Sequence, residues 1–97
     1  MVLELLSVTR SPAEGKRYRA KFNKDGREIH TDFGDSSLAN YTIHHDPERR
    51  KRYLMRHRER EDWKDPTSAG ALSRWLLWGD STSLRENIAM YKKRFGV

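Results

Sequence analysis

The spacing of apolar residues changes at Asp46-Pro47, and this change is the strongest constraint on how the chain can fold. Before it, residues 16–22 place Arg or Lys at every second position between Tyr18, Ala20 and Phe22, which is the two-residue period of a half-buried strand. After it, apolar residues recur every three or four positions, as in helices. We therefore expect an α+β protein in which a sheet precedes the helices.

The first third of the chain predicts an antiparallel sheet of two or three strands. Residues 2–8 are apolar and partly β-branched, as in a short strand. Residues 16–22 and 28–33 would follow as a hairpin, joined by a four-residue turn at 23–26. Residues 41–43 could add a short extended piece.

The register of this hairpin bears on function. If Phe22 faces Arg27, then Arg17 lies opposite Asp32, and opposite charges meet on the outer face. A face that neutralises its own charge is a poor candidate for a nucleic-acid groove.

A basic helix is predicted for residues 47–61. Asp46 supplies a capping carboxylate, Pro47 a preset first φ, and Glu48 a negative charge near the positive end of the helix dipole. The apolar stripe of this helix is thin, and Arg and Lys occupy most of its remaining surface. We expect it on the outside of the protein, with a mostly cationic exposed side.

Two further helices complete the prediction. Residues 67–78 are apolar nearly all round, which is typical of a buried, central helix, and Gly79 ends it. Residues 84–95 carry an apolar stripe, and Ser83 has capping-box spacing to Glu86. The predicted fold is an N-terminal antiparallel sheet of two or three strands packed against three C-terminal helices.

The length of the chain, 97 residues, fits one domain, residues 1–97, with a sheet part at 1–35 and a helical part at 46–97. The chain has no Cys, which excludes disulfides and thiolate metal sites. We expect no cofactor.

The formal charge of +6 is unevenly distributed. Residues 46–64 and 84–97 each carry a net charge of +3, whereas residues 1–35 carry +1 and residues 65–83 carry −1. An excess of Lys and Arg attracts polyanions such as nucleic acid. We therefore expect a surface that binds polyanions, if there is one, on the basic helix and the C-terminal turn.

We interpret the chain as a non-enzymatic binding protein, with sequence-independent association with DNA or RNA through the basic helix as the first hypothesis. The alternative is a protein-interaction module that binds an acidic protein surface. An ordinary solvated helix face is a third reading, and cationic C-terminal turns are common for dipole reasons alone. The candidate contact residues are Arg49, Arg52, Arg56, Arg60, Lys92, Lys93 and Trp63.

A small nuclease or other hydrolase is the least favoured hypothesis. It would use His45, Asp46 and His57, which are also weak candidates for metal ligands. Neighbouring side chains normally diverge, and the spacing matches no standard zinc pattern. Capping and buried roles are the competing interpretation for these residues.

Four segments together resemble a known protein family: 41–50, 49–58, 69–78 and 91–95. They are similar to small uncharacterised basic proteins of giant DNA viruses of algae and protists, and of some of their hosts. The resemblance covers roughly residues 17–95 and implies a viral context without an activity. In that context, the module that binds an acidic protein surface would be a virion structural protein. His45 stands where Lys is associated with the family, which argues mildly against an essential role at that position.

No stretch approaches the roughly 20 apolar residues that cross a bilayer, so we expect no membrane insertion. The first residues have neither a basic leader nor a long apolar core, so we expect no secretion by a signal of the chain's own. The expected location is intracellular, in the cytoplasm or nucleus of a host, or in a virion.

Overall fold

The computed structural model describes residues 2–97 and confirms the α+β architecture, with a three-stranded antiparallel sheet followed by helices. The strands are β1 (Leu3–Arg10), β2 (Lys16–Lys24) and β3 (Arg27–Asp35), in the order β1-β2-β3. The helices are α1 (Tyr41–His44), α2 (Pro47–His57), α3 (Ala69–Leu72) and α4 (Leu84–Phe95). A π-helical stretch, Ser73–Leu77, continues α3.

The β2–β3 hairpin has a tighter turn than the sequence suggested. Asp25 and Gly26 both have positive φ, 51° and 86°, and form a two-residue turn that places Lys24 opposite Arg27. This conformation matches the twist of the flanking strands, and a Gly accepts it without strain. The predicted register is therefore wrong by two residues. An even shift leaves every side chain on its expected face.

The core lies between the sheet and the C-terminal helices. The sheet contributes Leu5, Ala20, Phe22 and Phe33, each at most 6% exposed. They pack with the buried side chains of the α3 region and α4, namely Leu72, Leu76, Leu77 and Tyr91. This packing confirms the central, buried position expected for the 67–78 segment, although its helix begins at Ala69.

Two local expectations for the segments around α2 are wrong. Residues 41–43 are helical rather than extended, because the Asn40 side chain accepts a hydrogen bond from Thr42 N–H and caps α1. The basic helix ends at His57 rather than at 61. Residues 58–62 are all charged, so they offer no apolar side chain to pack against the core.

Gly79 allows a close approach that fixes the end of the π-helical stretch. A Cβ at this position would overlap the carbonyl oxygen of Trp75 and the side chain of Asn87. Asn87 is fully buried and donates from Nδ2 to the carbonyl oxygens of Leu76 and Ser81. The chain is thus held in one path beside Trp78, which is where α2 attaches.

Candidate nucleic-acid interface

Helix α2 begins at the predicted cap and is fastened to the rest of the protein by two side chains. The Asp46 carboxylate accepts from Glu48 N–H and Arg49 N–H. The Arg50 guanidinium donates to the carbonyl oxygens of Trp78 and Gly79, and its Nη2 lies 2.9 Å from Asp80 Oδ1.

Tyr53 is the second anchor of α2. It is buried, and its ring stacks on Trp78 with 4.2 Å between centroids and 4° between planes. His57 stacks on Tyr53 at 4.1 Å, and His44 lies 5.2 Å from Trp78. Burial raises the pKa of the Tyr53 hydroxyl, and it lowers the pKa of His44. The result is a continuous ladder of rings that ends at the partly exposed His57.

A cleft of about 840 Å³ runs beside α2. Residues of α2 and the α3 region line part of it, and the remaining lining comes from Glu61, the start of β2, the end of β3 and the 38–40 segment. Arg17 holds that segment by donating from Nη2 to the carbonyl oxygens of Ser36 and Leu38. Within the lining, the side chains on which the following argument depends are Lys16, Asn40, Arg49, Arg52, Arg56 and His57.

Three of the predicted contact residues share this cleft. Arg49, Arg52 and Arg56 are exposed and line it together. Between residues 2 and 97, no side chain forms an ion pair or hydrogen bond with any of the three guanidinium groups. Intrahelical ion pairs between these arginines and nearby Glu residues are therefore absent from the described part of the chain.

Two carboxylates also line the cleft, and both already have partners. Asp35 accepts from Ser37 N–H and Oγ–H, and these bonds lower its pKa. Glu61 accepts from Trp63 Nε1–H and lies 3.3 Å from His57 Nδ1. With Lys16 and the three arginines, four permanent cations face two engaged carboxylates.

Asn40 lines the cleft and has one buried donor without a partner. Asn40 is 3% exposed, and its Oδ1 accepts from Thr42 N–H and Oγ1–H. Its Nδ2 is buried and has no hydrogen-bond partner among the described residues. A buried donor without a partner costs free energy, so an acceptor supplied by a ligand would be favourable there.

The remaining predicted cations lie outside this cleft. Arg60 is exposed in the turn after α2, and Lys92 and Lys93 are exposed on the last turns of α4. Lys93 lines a smaller groove of about 380 Å³ with Arg94 and Trp75. The structure therefore brings three of the six predicted cationic contacts into one site and leaves three elsewhere.

Trp63, a predicted contact residue, is half-buried. Its Nε1–H donates to Glu61 Oε1, and its carbonyl oxygen accepts from Trp75 Nε1–H at 3.0 Å. The Arg74 guanidinium lies 5.2 Å from its ring centroid. Trp63 is engaged within the fold and does not line the cleft.

The weak metal and hydrolase candidates serve other roles. His45 ends α1 with a left-handed φ of 54°, Asp46 caps α2, and His57 ends the ring ladder. Within residues 2–97, no three His, Asp or Glu side chains form a group that could hold a metal ion. Asp46 is engaged by two backbone N–H groups, which weakens its assignment as a catalytic base.

Sequence reasoning missed Lys16 and Asn40 as members of the site. Asn40 before Tyr41 has the character of a helix cap, which could have indicated α1 but not its unused Nδ2. Lys16 lies in the cleft because the sheet brings the start of β2 close to α2. Nothing in the sequence around Lys16 indicates this long-range contact.

None of the helices in the described part of the chain is both long and apolar enough to cross a membrane.

No curated protein matches the chain, and no solved structure matches it. Residues 6–57 match the model of a family of unknown function, DUF5754. The match runs from β1 to the last residue of α2 and thus includes the three cleft arginines. The resemblance to giant-virus proteins stays a prediction. Because the matched segment covers more than half of its length, the chain belongs to the DUF5754 family of unknown function.

Proposed function

We propose that the protein binds DNA or RNA without sequence specificity, through the cationic side of α2. Arg49, Arg52 and Arg56 would contact phosphates, and Lys16 would add a fourth positive charge to the same cleft. The role is one of binding, without a chemical step.

The observation that carries this proposal is the set of three arginines that share one cleft and have no partner within the described chain. Arginine donates several N–H groups in a planar fork that suits phosphate oxygens. With a rise of 1.5 Å per residue, the seven steps from Arg49 to Arg56 span about 10.5 Å along the helix axis. This is roughly three phosphate-to-phosphate spacings of about 3.4 Å along one strand of a stacked nucleic acid.

The anchoring of α2 supports the same proposal. Arg50 and Tyr53 fix the helix to Trp78, so its exposed arginines are presented from a rigid element. Phosphate contacts of this kind carry no sequence information by themselves. Binding should therefore vary little between oligonucleotides of different sequence.

An acidic protein surface would meet the same arginines, and this remains the second hypothesis. A direct binding measurement separates the two. Fluorescence anisotropy with labelled oligonucleotides of about 12 nucleotides, from about 0.05 to 0.5 M NaCl, should give a slope of log K against log salt between about −2 and −4. Absence of binding at the lowest salt would overturn the proposal, as would a slope near zero.

A further inference from the structure

Resting on this proposed function, we propose that the ligand is single-stranded and that one of its unpaired bases enters the cleft beside α2. The backbone phosphates would lie along Arg49, Arg52 and Arg56. The base would stack on the free end of the ring ladder and accept a hydrogen bond from Asn40.

The dimensions of the cleft suit a nucleotide. Its volume of about 840 Å³ lies in the range of small-molecule sites, about 300–1,000 Å³. In a duplex, both faces of each base are stacked and its Watson–Crick edge is paired, so no base can enter the cleft without leaving the helix. A single strand can place a base in the cleft while its backbone stays on the rim.

His57 provides a stacking position. One face of its ring covers Tyr53, and among the described residues no aromatic ring lies on its other face. Its side chain is 37% exposed and lines the cleft. A base added there would continue the ladder Trp78–Tyr53–His57 by one ring, and Trp78 and Tyr53 hold the ladder in place from within the fold.

Asn40 provides a donor without strong base selectivity. Its Oδ1 is occupied by Thr42, so only the buried Nδ2–H group remains for a ligand. All four bases present at least one acceptor on an edge. One donor that meets one acceptor therefore stabilises an inserted base while it discriminates little between sequences.

The carboxylates favour a base over a second phosphate. Asp35 and Glu61 line the cleft and would repel a phosphate placed beside them. A neutral base has no such cost. The cleft thus separates exposed arginines suited to phosphates from a mixed, partly aromatic lining suited to a base.

The test compares three ligands of equal length: oligo(dT), an oligomer of the same phosphates and sugars without bases, and a duplex. We expect oligo(dT) to bind about fivefold or more tightly than the abasic oligomer, because stacking of one base on an aromatic side chain contributes at least that much. If oligo(dT) and the abasic oligomer bound with equal affinity, and both affinities still fell with salt, base insertion would be overturned and the proposed function would stand. No binding of any ligand would overturn both.

A variant pair locates the effect in the cleft. Ala69 is exposed and lines the cleft, whereas Ala89 is exposed on α4 away from it. Ala69→Phe should remove the preference for oligo(dT) over the abasic oligomer and keep the binding of the abasic oligomer, while Ala89→Phe behaves as the wild type. An unchanged preference in Ala69→Phe would contradict the proposal. The ligand comparison on the wild-type protein tests it without any substitution.

Discussion

The β2–β3 hairpin and helix α2 are both rich in Arg and Lys, but two arginines of the hairpin have partners that three arginines of α2 lack. In the hairpin, Arg19 forms a two-pronged ion pair with Asp32, from Nε and from Nη2. Arg17 is held by backbone carbonyl groups. On α2, Arg49, Arg52 and Arg56 are exposed and have no such partner within residues 2–97.

This difference shows that the number of basic residues does not locate a binding surface. A cation held by a carboxylate or by carbonyl groups fixes the conformation of the chain, and its N–H donors are already engaged. An unpaired cation on a rigid helix remains available to a ligand. Arg50 lies on α2 yet is paired with Asp80, so a position on α2 does not by itself leave a cation unpaired. We therefore expect loss of paired cations to reduce stability and loss of unpaired cations to reduce affinity.

The largest effect on stability is expected for Arg50→Met. The Arg50 side chain is 23% exposed and donates to two carbonyl groups and to Asp80. Loss of these charge-assisted bonds should lower the free energy of unfolding by about 2 kcal/mol, measured by urea denaturation. The matched control Arg49→Met should change it by less than about 0.5 kcal/mol. Similar losses of stability for both variants would contradict the distinction between paired and unpaired arginines.

The next largest effect is expected on the stability of the protein at low pH, to which the hairpin contributes. Hydrogen bonds from Arg19 and Ser11 lower the pKa of Asp32 to about 2. A carboxyl with a lowered pKa in the folded state stabilises the fold above its unfolded value of about 3.9 and loses that contribution as the pH falls towards 2. Asp32→Asn should therefore flatten the dependence of stability on pH between about 4 and 2, measured by thermal denaturation.

Glu28→Gln is the control for this prediction, because Glu28 is exposed on the same strand and its side chain has no ion-pair partner in the described structure. It should keep the slope of the wild type. A wild-type slope in Asp32→Asn would mean that the hairpin pair does not contribute as described.

A smaller effect is expected for a single cleft arginine. Arg52→Gln should make the salt slope shallower by about 0.7 and weaken binding to a single strand about fivefold at about 0.1 M salt, since one phosphate contact is lost. Stability should change by less than about 0.5 kcal/mol. Lys51→Gln, a neighbouring exposed position outside the cleft, should leave the slope unchanged. Equal changes in both variants would indicate a diffuse surface.

The smallest effect is expected for the predicted cations that lie outside the cleft. Arg60→Gln and Lys92→Gln should each change the affinity less than about twofold, because only screened, long-range attraction is lost. Anisotropy titrations at the same salt concentration measure this. A fivefold loss in either variant would extend the binding surface beyond the cleft.

The order of sheet and helices could be predicted because it depends on local patterns. Alternation in residues 16–22 and the caps Asp46 and Ser83 act over a few residues, and the structure shows both caps accepting backbone hydrogen bonds. The dipeptide Asp25-Gly26 also favours the two-residue hairpin turn that the structure contains, although the predicted turn, 23–26, is longer.

The cleft could not be predicted from the sequence, because residues distant along the chain create it. Lys16, Asn40 and Arg52 come together through the sheet and through the attachment of α2 to Trp78. The pairing state of each arginine is likewise a tertiary property. Arg49 and Arg50 are neighbours in sequence, yet only Arg50 reaches Asp80.

The most direct test of the central claim compares two triple variants of equal charge. One is Arg49→Gln, Arg52→Gln and Arg56→Gln; the other is Lys51→Gln, Arg58→Gln and Arg85→Gln, at exposed positions outside the cleft. At about 0.1 M salt, the cleft variant should bind a single-stranded oligonucleotide on the order of 100-fold more weakly than the wild type, since three phosphate contacts are lost. The control variant should stay within a few-fold of the wild type. Equal losses in the two variants would contradict the account, because the affinity would then follow net charge rather than the unpaired arginines of the cleft.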